Sequence, residues 1–592
     1  MHHPGVTSVP RPIGIPLQIL ALATAVLPIR TLAAQADVPS AQPRDPAKQL
    51  RDDRRAFQEL ELITAKPCSY IFNPGQPPRI VWRDAEEVRR LGGDPKPRVR
   101  WFDAEFNEAD VPRARGRWAA YIEATAPNGT PVRRAMTFYC RPDDWLLYEP
   151  PKLSASWPYQ PGPIAEQVWL ERGEEFPRAL EETALRSFLD SEMASILMAG
   201  LTDAKPLGHP ARPIDSAGVL NDDFHLGLKL KLMGLAGKTR VLQPPRRRTG
   251  PPAPVLREGS VTEAGVAPDA KAKIDAVCRA WAKDSGVPFV TLVARHGVIV
   301  THEAFGNEKD GKPVARDYRC QVFSITKTVT ALLFSQFVDQ GLIDLEGRAS
   351  DVFPDYPKDD PHVPTFRQCF THTSGLTGHG DFGAMRNPHF ENVILNGIDA
   401  NEPGKTYQYS GMGYDLTAKA MEIVAGKCAA RLYHEHLFKP LGFEDARVDD
   451  AAAGAHLTAR ELGALAQWVL NRGSYGPLQF ISPMTFERLL PRPVNVTTKN
   501  YGEDEGIGMH WMRNTRVGAP EHSKKPEDWI FSTNTVGHGS FSGCLFACDL
   551  DRDLLVVQAR RESGPRHGEW VPKLFQAAAE CVADSATTTK RE

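Results

Sequence analysis

The sequence predicts an α+β fold from about residue 262 onward, because helical and strand patterns alternate along this part of the chain. Apolar residues recur at helical spacing in four segments: 267–283, 324–340, 457–471 and 570–582. β-branched and other apolar residues dominate four shorter segments: 288–294, 298–305, 544–549 and 554–559. The first and last of these helices flank two pairs of strands. The two middle helices lie between the pairs. This order indicates an antiparallel sheet flanked by helices, with a helical subdomain, rather than a parallel βαβ repeat.

The overall composition is that of a globular protein and excludes several classes. Hydrophobic residues make up 41% and charged residues 24% of the 592 positions, which excludes a wholly disordered, collagen-like or coiled-coil chain. The 71 Lys and Arg residues are balanced by 73 Asp and Glu residues, for a net charge of −2. A chain without a basic field is not expected to bind nucleic acid. The 50 prolines predict long, stiff connections.

The first 36 residues have the pattern of a secretory signal peptide. Arg11 precedes an apolar stretch over 13–29, and Ala34-Gln35-Ala36 supplies the small residues at which a signal peptidase cuts. An uncleaved anchor is the alternative, but the stretch is short and is interrupted by prolines. No later segment is long and apolar enough to span a membrane. We therefore expect an exported chain, periplasmic or extracellular, with no membrane span after signal removal.

Residues 37–243 predict a smaller β-rich module of unknown function, such as a spacer, a lid or a module that contacts the cell wall. Strand patterns cover three segments, 99–106, 117–125 and 133–140, and a helical pattern covers 174–201. Asn128-Gly129 between the last two strands is a hairpin turn signal. Residues 244–261 are rich in proline and arginine and predict an exposed, semi-rigid linker. A C-terminal domain over 262–585 and a tail over 586–592 complete the expected organisation.

Cysteine and histidine spacing gives no metal site. The nine cysteines include no C-x-x-C pair, which argues against a zinc ribbon or a thioredoxin-like site. Some cysteines could pair in an oxidising compartment, but the sequence does not give the connectivity. Cys544 and Cys548 lie on one expected strand, roughly 13 Å apart, which is too far for a bond. His434 and His436 are two residues apart on a helix and face different directions. No cofactor is expected.

Ser324 and Lys327 open the apolar helix three residues apart, so they share one helix face. A serine hydroxyl becomes a good nucleophile when a neighbouring base accepts its proton. Lysine can be that base if burial or nearby positive charge lowers its pKa. The free amides at a helix start also favour developing negative charge. The alternative is a structural one, in which Ser324 caps the helix and Lys327 is a surface residue.

Further motifs follow in order and identify a family resemblance. They are Gly341-Leu342-Ile343-Asp344, His372-Thr373-Ser374-Gly375, Tyr407-Gln408-Tyr409-Ser410-Gly411, Leu457-Thr458-Ala459-Arg460-Glu461 and Gly537-His538-Gly539-Ser540. Together with Ser324-x-x-Lys327 they resemble the serine β-lactamase-like hydrolases, which include class C β-lactamases, D-alanyl-D-alanine carboxypeptidases, D-aminopeptidases and related esterases. The resemblance covers residues 262–585 and implies a β-lactamase/transpeptidase-like domain.

The resemblance also implies a catalytic set. Ser324 would be the acylated nucleophile and Lys327 its proton acceptor. Tyr409 matches the tyrosine of the family's Tyr-x-Asn motif, which moves protons to the leaving group. His538 stands where the family has Lys or His in its third motif. His372 would be a structural residue under the cleft.

Substrate contacts are expected from four positions: Gly411, Gly539, Ser540 and Phe541. The oxyanion hole would combine the Ser324 amide with an amide near Ser540 or Phe541. Two departures stand out: Gly411 replaces the family's Asn, and the third motif, which usually ends in Gly, reads His538-Gly539-Ser540. Both changes lower the expectation of efficient penicillin hydrolysis, since a neutral histidine binds a carboxylate less well than lysine does.

We therefore expect an exported serine hydrolase that cleaves an ester or amide, of carboxylic ester or D-amino-acyl type, through an acyl-enzyme on Ser324. Its substrate would be a small molecule or a cell-wall peptide. The alternative is a catalytically weak or inactive penicillin-binding-like protein that binds cell-wall peptide or glycan.

Overall fold

The computed structural model describes most of residues 53–140, then 217–376, 402–496 except 449 and 495, and 504–582. The expected signal peptide, the helix expected at 174–201 and the C-terminal tail lie outside the described residues. Among the residues that are described, no helix is long and apolar enough to cross a membrane.

The N-terminal module is built mainly from strands. Its elements are β1 (Leu62–Thr64), β2 (Ile71–Phe72), β3 (Ile80–Trp82), α1 (Ala85–Arg90), β4 (Arg98–Phe102), β5 (Glu108–Ala109), β6 (Gly116–Thr125) and β7 (Pro131–Cys140). Five strands form a sheet in the order β2-β7-β6-β4-β5, and β1 pairs with β3. The hairpin of β6 and β7 turns through Gly129, whose φ of 80° suits glycine. β4 ends at residue 102 rather than 106, because the Asp103 carboxylate accepts the amide of Asn107 and turns the chain.

The C-terminal part alternates helices and strands. Its first elements are α2 (Ala217–Leu232), β8 (Arg246–Arg247), α3 (Val261–Ala264), α4 (Ala270–Ser285), β9 (Phe289–Arg295), β10 (Val298–Phe305), β11 (Arg319–Gln321), α5 (Thr326–Asp339) and α6 (Phe366–Phe370). Its middle elements are α7 (Met412–Ala425), α8 (Ala429–Tyr433), β12 (Arg447–Val448), β13 (Ala455–Thr458), α9 (Ala459–Leu470), β14 (Ser474–Tyr475), β15 (Leu478–Gln479) and α10 (Pro483–Leu489). Its last elements are β16 (Arg492–Pro493), β17 (Asp504–Glu505), β18 (His510–Trp511), β19 (Thr535–Gly539), β20 (Leu545–Asp549), β21 (Leu554–Ala559) and α11 (His567–Glu580).

A six-stranded antiparallel sheet organises this part, in the order β10-β9-β21-β20-β19-β18. Its strands are apolar on both faces because helices cover both faces. On β9, Val290 and Leu292 join the core beneath α9, whereas Phe289 and Val293 join the core beneath α4 and α11. This alternation follows from the two-residue period of a strand. The α+β prediction is confirmed, with terminal helices on one face and the helical region inserted between β10 and β19.

The inserted helical region centres on α5. Nearly every residue of α5 is buried, because α7, α8 and α10 surround it. Its buried residues include polar ones, among them Thr326, Lys327 and Thr330, which form hydrogen bonds to the surrounding chain. Its first residues therefore emerge from the core at a fixed position beside the edge of the sheet, where β19 packs against the turn that precedes α5.

The Pro/Arg-rich segment, expected to be an exposed, semi-rigid linker, is mostly exposed but also docks on the C-terminal part. Its β8 pairs with β15, and Arg246 forms an ion pair with Asp339 at the end of α5 (3.5 Å). Leu256 inserts into the main core beside Gly463 of α9. The segment is exposed at most side chains but fixed by backbone pairing and buried anchors. The composition of the segment predicts that it is exposed. It cannot predict the docking, because the docking partners lie more than 80 residues away in the chain.

This docking predicts different effects for two adjacent substitutions. Leu256→Ala removes a side chain that is 6% exposed and should lower the free energy of unfolding by roughly 2–4 kcal/mol. Val255→Ala, at a position 36% exposed, should change it by less than about 0.5 kcal/mol. Urea or thermal unfolding of both variants measures the difference. Equal, negligible effects would show that the segment is a free linker after all.

Candidate active site

Ser324 sits at the entrance to α5, in a single 3₁₀ turn over Phe323–Ile325. The preceding Phe323 has a φ of 44°, which is unfavourable for a residue with a side chain. The surroundings hold this strained conformation: the amide of Val322 donates to the carbonyl of Ala455 (2.8 Å), and the Phe323 ring packs against Phe541 (5.8 Å between centroids). The hydroxyl-bearing residue is half-buried at the start of a helix, where backbone amides point outward.

Lys327, one turn further along α5, is 3% exposed. Its Nζ donates a hydrogen bond to the carbonyl of Ala452 (3.0 Å) and lies 4.7 Å from the centroid of the Tyr409 ring. Burial lowers the pKa of Lys327 to about 8, and attraction to Asp450 and Asp415 offsets only part of this effect. Burial also raises the pKa of Asp415 well above its usual range, which weakens the preference of this carboxyl for its charged form. Lys327 can therefore lose its proton near neutral pH.

The loop over residues 450–455 brings the acceptor for Lys327 into place. The Asp450 carboxylate accepts the amides of Ala452 and Ala453 (2.8 and 2.7 Å) and bends the loop. Two threonines of α5 bind the same loop. Thr330 Oγ1 donates to the carbonyl of Ala451 (2.6 Å), and Thr326 Oγ1 accepts the amide of Ala455 (2.9 Å). The 450–455 loop is thus fixed along one face of α5 beside Lys327.

Tyr409 is 42% exposed and lies against His372, with 4.3 Å between the ring centroids. The carbonyl of His372 accepts the amide of Gln408 (2.8 Å), and its Nδ1 accepts the amide of Ser410 (3.2 Å). These two hydrogen bonds fix the backbone on both sides of the tyrosine. Burial and the nearby Lys327 hold the pKa of His372 well below its usual range, so the ring is neutral. The geometry gives His372 the supporting place expected of it.

His538 lies on β19 and is buried, with its Nδ1 at 2.6 Å from the carbonyl of Gly539. Burial and the neighbouring His510 hold the pKa of His538 well below its usual range. The two imidazoles are 4.6 Å apart, and His510 Nδ1 lies 3.0 Å from the buried carboxylate of Glu505. The residue at the head of the third motif is therefore a neutral imidazole and not a cation.

The remaining candidate substrate contacts line the exit of β19. Gly539 pairs with Leu545 as the last residue of the ladder, so Ser540 and Phe541 lie just beyond it. Ser540 Oγ accepts the amide of Cys544 (3.0 Å), which closes a tight turn. Phe541 is 72% exposed, although its ring contacts Phe323 next to the candidate nucleophile. This turn is therefore adjacent to the Ser324 turn.

Gly411 replaces the family's asparagine for a steric reason. A Cβ atom placed on Gly411 would lie 2.9 Å from the Cβ of Ala452. Atoms of side chains do not approach this closely, so the 450–455 loop occupies the space that a larger residue needs. The position of the 450–455 loop therefore explains both the glycine at 411 and the location of the carbonyl that accepts from Lys327.

Sequence reasoning missed three parts of this neighbourhood. The carbonyl of Ala452 was not identified, because a backbone acceptor in an alanine-rich loop leaves no mark in the sequence. Glu505 and His510 were also missed, since they lie in short strands with no motif that connects them to His538. Across the described ranges, no group of three or more His, Cys, Asp or Glu residues is arranged to hold a metal ion.

Comparison with known proteins matches one part of the chain to a family of known proteins. Residues 282–559 match the family model described as Beta-lactamase. This part of the chain is similar in sequence to the β-lactamase family. The matched range runs from the end of α4 to the end of β21 and includes every candidate site residue.

Individual β-lactamase-family relatives are distant. The chain is 26% identical to D-alanyl-D-alanine-carboxypeptidase/endopeptidase AmpH of Escherichia coli over 27% of this chain and 45% of that protein. It is 28% identical to esterase EstB of Burkholderia gladioli over 29% of this chain and 50% of that protein. The chain thus spans about half the length of these relatives. A penicillin-binding protein homologue from Caulobacter crescentus aligns at a TM-score of 0.43 and 20% identity, covering 53% of this chain and 98% of that one.

The contact at Gly411 predicts that restoring the asparagine typical of the β-lactamase family is harmful. Gly411→Asn should displace the Ala452 carbonyl from Lys327 and lower the rate of Ser324 acylation by about tenfold or more. The Tm of the Gly411→Asn variant should also fall. Gly568→Asn is the matched control, because a Cβ there meets no atom within 4 Å. Stopped-flow acylation and thermal unfolding give both readouts, and a faster reaction in Gly411→Asn would contradict this account.

Proposed function

We propose that this protein is a serine hydrolase that cleaves a carboxylic ester or a D-amino-acyl amide through an acyl-enzyme on Ser324. The observation that carries the proposal is the burial of Lys327 one helical turn from Ser324, with a pKa of about 8. A lysine kept for structure alone gains nothing from this burial, because desolvation destabilises its charged form. A lysine that must accept a proton requires it.

In the acylation step, Ser324 Oγ attacks the substrate carbonyl while neutral Lys327 accepts the hydroxyl proton. A tetrahedral intermediate forms, and its collapse breaks the bond to the leaving group, which takes a proton from the phenol of Tyr409. Proton transfer from Lys327 restores the phenol. Water then attacks the acyl group while the proton transfers run in the reverse direction. This step releases the acid and regenerates Ser324. The amine of Lys327 lies 4.7 Å from the centroid of the Tyr409 ring, so the two side chains are neighbours at one site.

The developing oxyanion would be stabilised by the amide of Ser324 and by an amide of the Ser540–Phe541 turn. Loss of one such donor typically costs about 3 kcal/mol of transition-state stabilisation. The strained Phe323 and its contact with Phe541 hold the two segments close together. We propose that these contacts keep the two donors in fixed positions before the substrate arrives.

Neutral His538 favours uncharged substrates. A buried imidazole with a pKa well below its usual range offers no positive charge to a substrate carboxylate. Substrates recognised through an ionic contact at this position, such as penicillins, should therefore react poorly. Esters make no such demand, and the name of the relative EstB records an esterase. A binding protein without turnover is the second candidate, favoured by the departures at Gly411 and in the third motif.

Replacement of the nucleophile decides between these two candidates. Ser324→Ala should lower hydrolysis of a p-nitrophenyl ester by about 10³-fold or more, because the acyl-enzyme cannot form. Ser335→Ala is the matched control, since its hydroxyl lies on the same helix and donates to the carbonyl of Leu332 (2.7 Å). A fluorophosphonate probe should label the native chain at Ser324. Absence of labelling, with ester turnover equal in both variants, would exclude the proposed mechanism.

We also propose that the chain is exported by the signal sequence expected over residues 1–36. The support is the sequence pattern of a positive residue, an apolar stretch and Ala34-Gln35-Ala36. Expression in a Gram-negative host should yield a periplasmic chain whose mass corresponds to a start near residue 37. A full-length chain that stays in the cytoplasmic fraction would contradict export.

A further inference from the structure

Two cysteines that are distant in sequence meet directly behind the candidate site. The sulfur atoms of Cys320 and Cys544 are 3.9 Å apart, although 224 positions separate the residues. Both side chains are buried. A disulfide bond requires a sulfur separation of about 2.05 Å, which side-chain rotation supplies when the two β carbons already face one another. The family match assigns no role to either residue.

The two cysteines belong to the two segments that the proposed mechanism needs to hold together. Cys320 is the central residue of β11, four positions before Ser324. Cys544 follows the Ser540–Gly543 turn and leads into β20. We propose that Cys320 and Cys544 are a disulfide-forming pair that ties the nucleophile segment to the Ser540–Gly543 turn in an oxidising thiol–disulfide buffer.

The surroundings of Cys544 favour its thiolate form. The Ser542 hydroxyl and the backbone amide of Arg560 both lie 3.3 Å from its sulfur and can donate to it. Burial opposes ionisation, but hydrogen bonds from Cys320, Ser542 and Arg560 outweigh it and lower the pKa of Cys544 to about 7. The hydrogen bond with Cys544 and burial raise the pKa of Cys320. The two thiols are thus differentiated into an attacking group and a resolving group.

The reaction balances with a low-molecular-weight disulfide as oxidant. Because Cys544 is fully buried in the folded chain, the exchange takes place while the chain refolds or opens locally. The Cys544 thiolate attacks one sulfur of the disulfide RSSR, breaks its S–S bond and expels one thiolate. The sulfur of Cys320 then attacks Cys544 in the mixed disulfide, forms the protein disulfide and expels the second thiolate. The two protons of the protein thiols pass to the two leaving groups. The two cysteines are oxidised, and RSSR is reduced to two molecules of RSH.

The covalent link would fix a relationship that the fold otherwise maintains only by packing. The Phe323–Phe541 contact and the pairing of Gly539 with Leu545 hold the Ser540–Gly543 turn in the reduced chain. A bond between Cys320 and Cys544 closes a loop of more than 200 residues, which strongly restricts the unfolded chain. The proposal concerns thiol chemistry, so it can fail while the proposed hydrolase function stands, and the reverse is equally true.

Peptide mapping of the full chain tests the proposal directly. The purified protein is refolded and equilibrated with mixtures of reduced and oxidised glutathione, quenched in acid, alkylated in denaturant and digested. We expect a cross-linked peptide that joins Cys320 to Cys544, disappearing as the reduced fraction rises. Cys278 is the internal control, because its buried sulfur lies 3.7 Å from the Thr291 hydroxyl and not beside a thiol. Alkylation of Cys320 and Cys544 to the same extent as Cys278 at every ratio would overturn the proposal.

Thermal unfolding provides a second, independent readout. Reduction should lower the Tm of the wild-type chain and of Cys278→Ser by about 5 °C, because the constraint on the unfolded state is lost. The Tm of Cys320→Ser should not respond to reductant. An equal response of all three proteins would contradict the assignment. Mapping of the wild-type chain remains decisive if Cys320→Ser does not fold.

Discussion

The hydrogen bond from buried Lys327 to the carbonyl of Ala452 is the contact on which the rest of the site depends. Lowering a lysine pKa from 10.5 to about 8 reflects roughly 3 kcal/mol of lost preference for the charged form. Burial supplies this effect, and attraction to Asp450 and Asp415 offsets only part of it. The Ala452 carbonyl is a neutral acceptor, so it orients the amine without holding it in the charged form. Lys327 therefore has the position and the lowered pKa that the proposed mechanism requires of its base.

Several features of the fold serve this one contact. The apolar helix α5 brings Lys327 out of the core, and its threonines hold the 450–455 loop beside it. The same loop excludes a side chain at Gly411, which explains the departure from the family pattern. His372 fixes the backbone around Tyr409 from the other side. The strand β19 closes the site with a neutral imidazole, which removes the positive charge that acidic substrates would use.

The sequence predicted what depends on local spacing. The apolar helix and its Ser324-x-x-Lys327 start were visible because residues three apart share a helix face, and the strands at 298–305 and 554–559 were predicted at their observed bounds. Tyr409 and His538 required the family resemblance, since no local pattern connects them to Ser324. The sequence did not predict three features: the Ala452 carbonyl, the docking of residues 244–256 and the Cys320–Cys544 contact. Each depends on backbone groups or side chains brought together across long stretches of chain.

The pH dependence of Ser324 acylation in a single turnover tests the central claim most directly. The neutral form of Lys327 is the base, and its population grows as pH rises through the pKa. The acylation rate constant should therefore rise about tenfold per pH unit below 8 and level off above about 8. Lys327→Arg should abolish this rise along with the reaction, because arginine stays protonated. A rate that is independent of pH between 6 and 9, or that keeps rising up to about 10.5, would contradict the account.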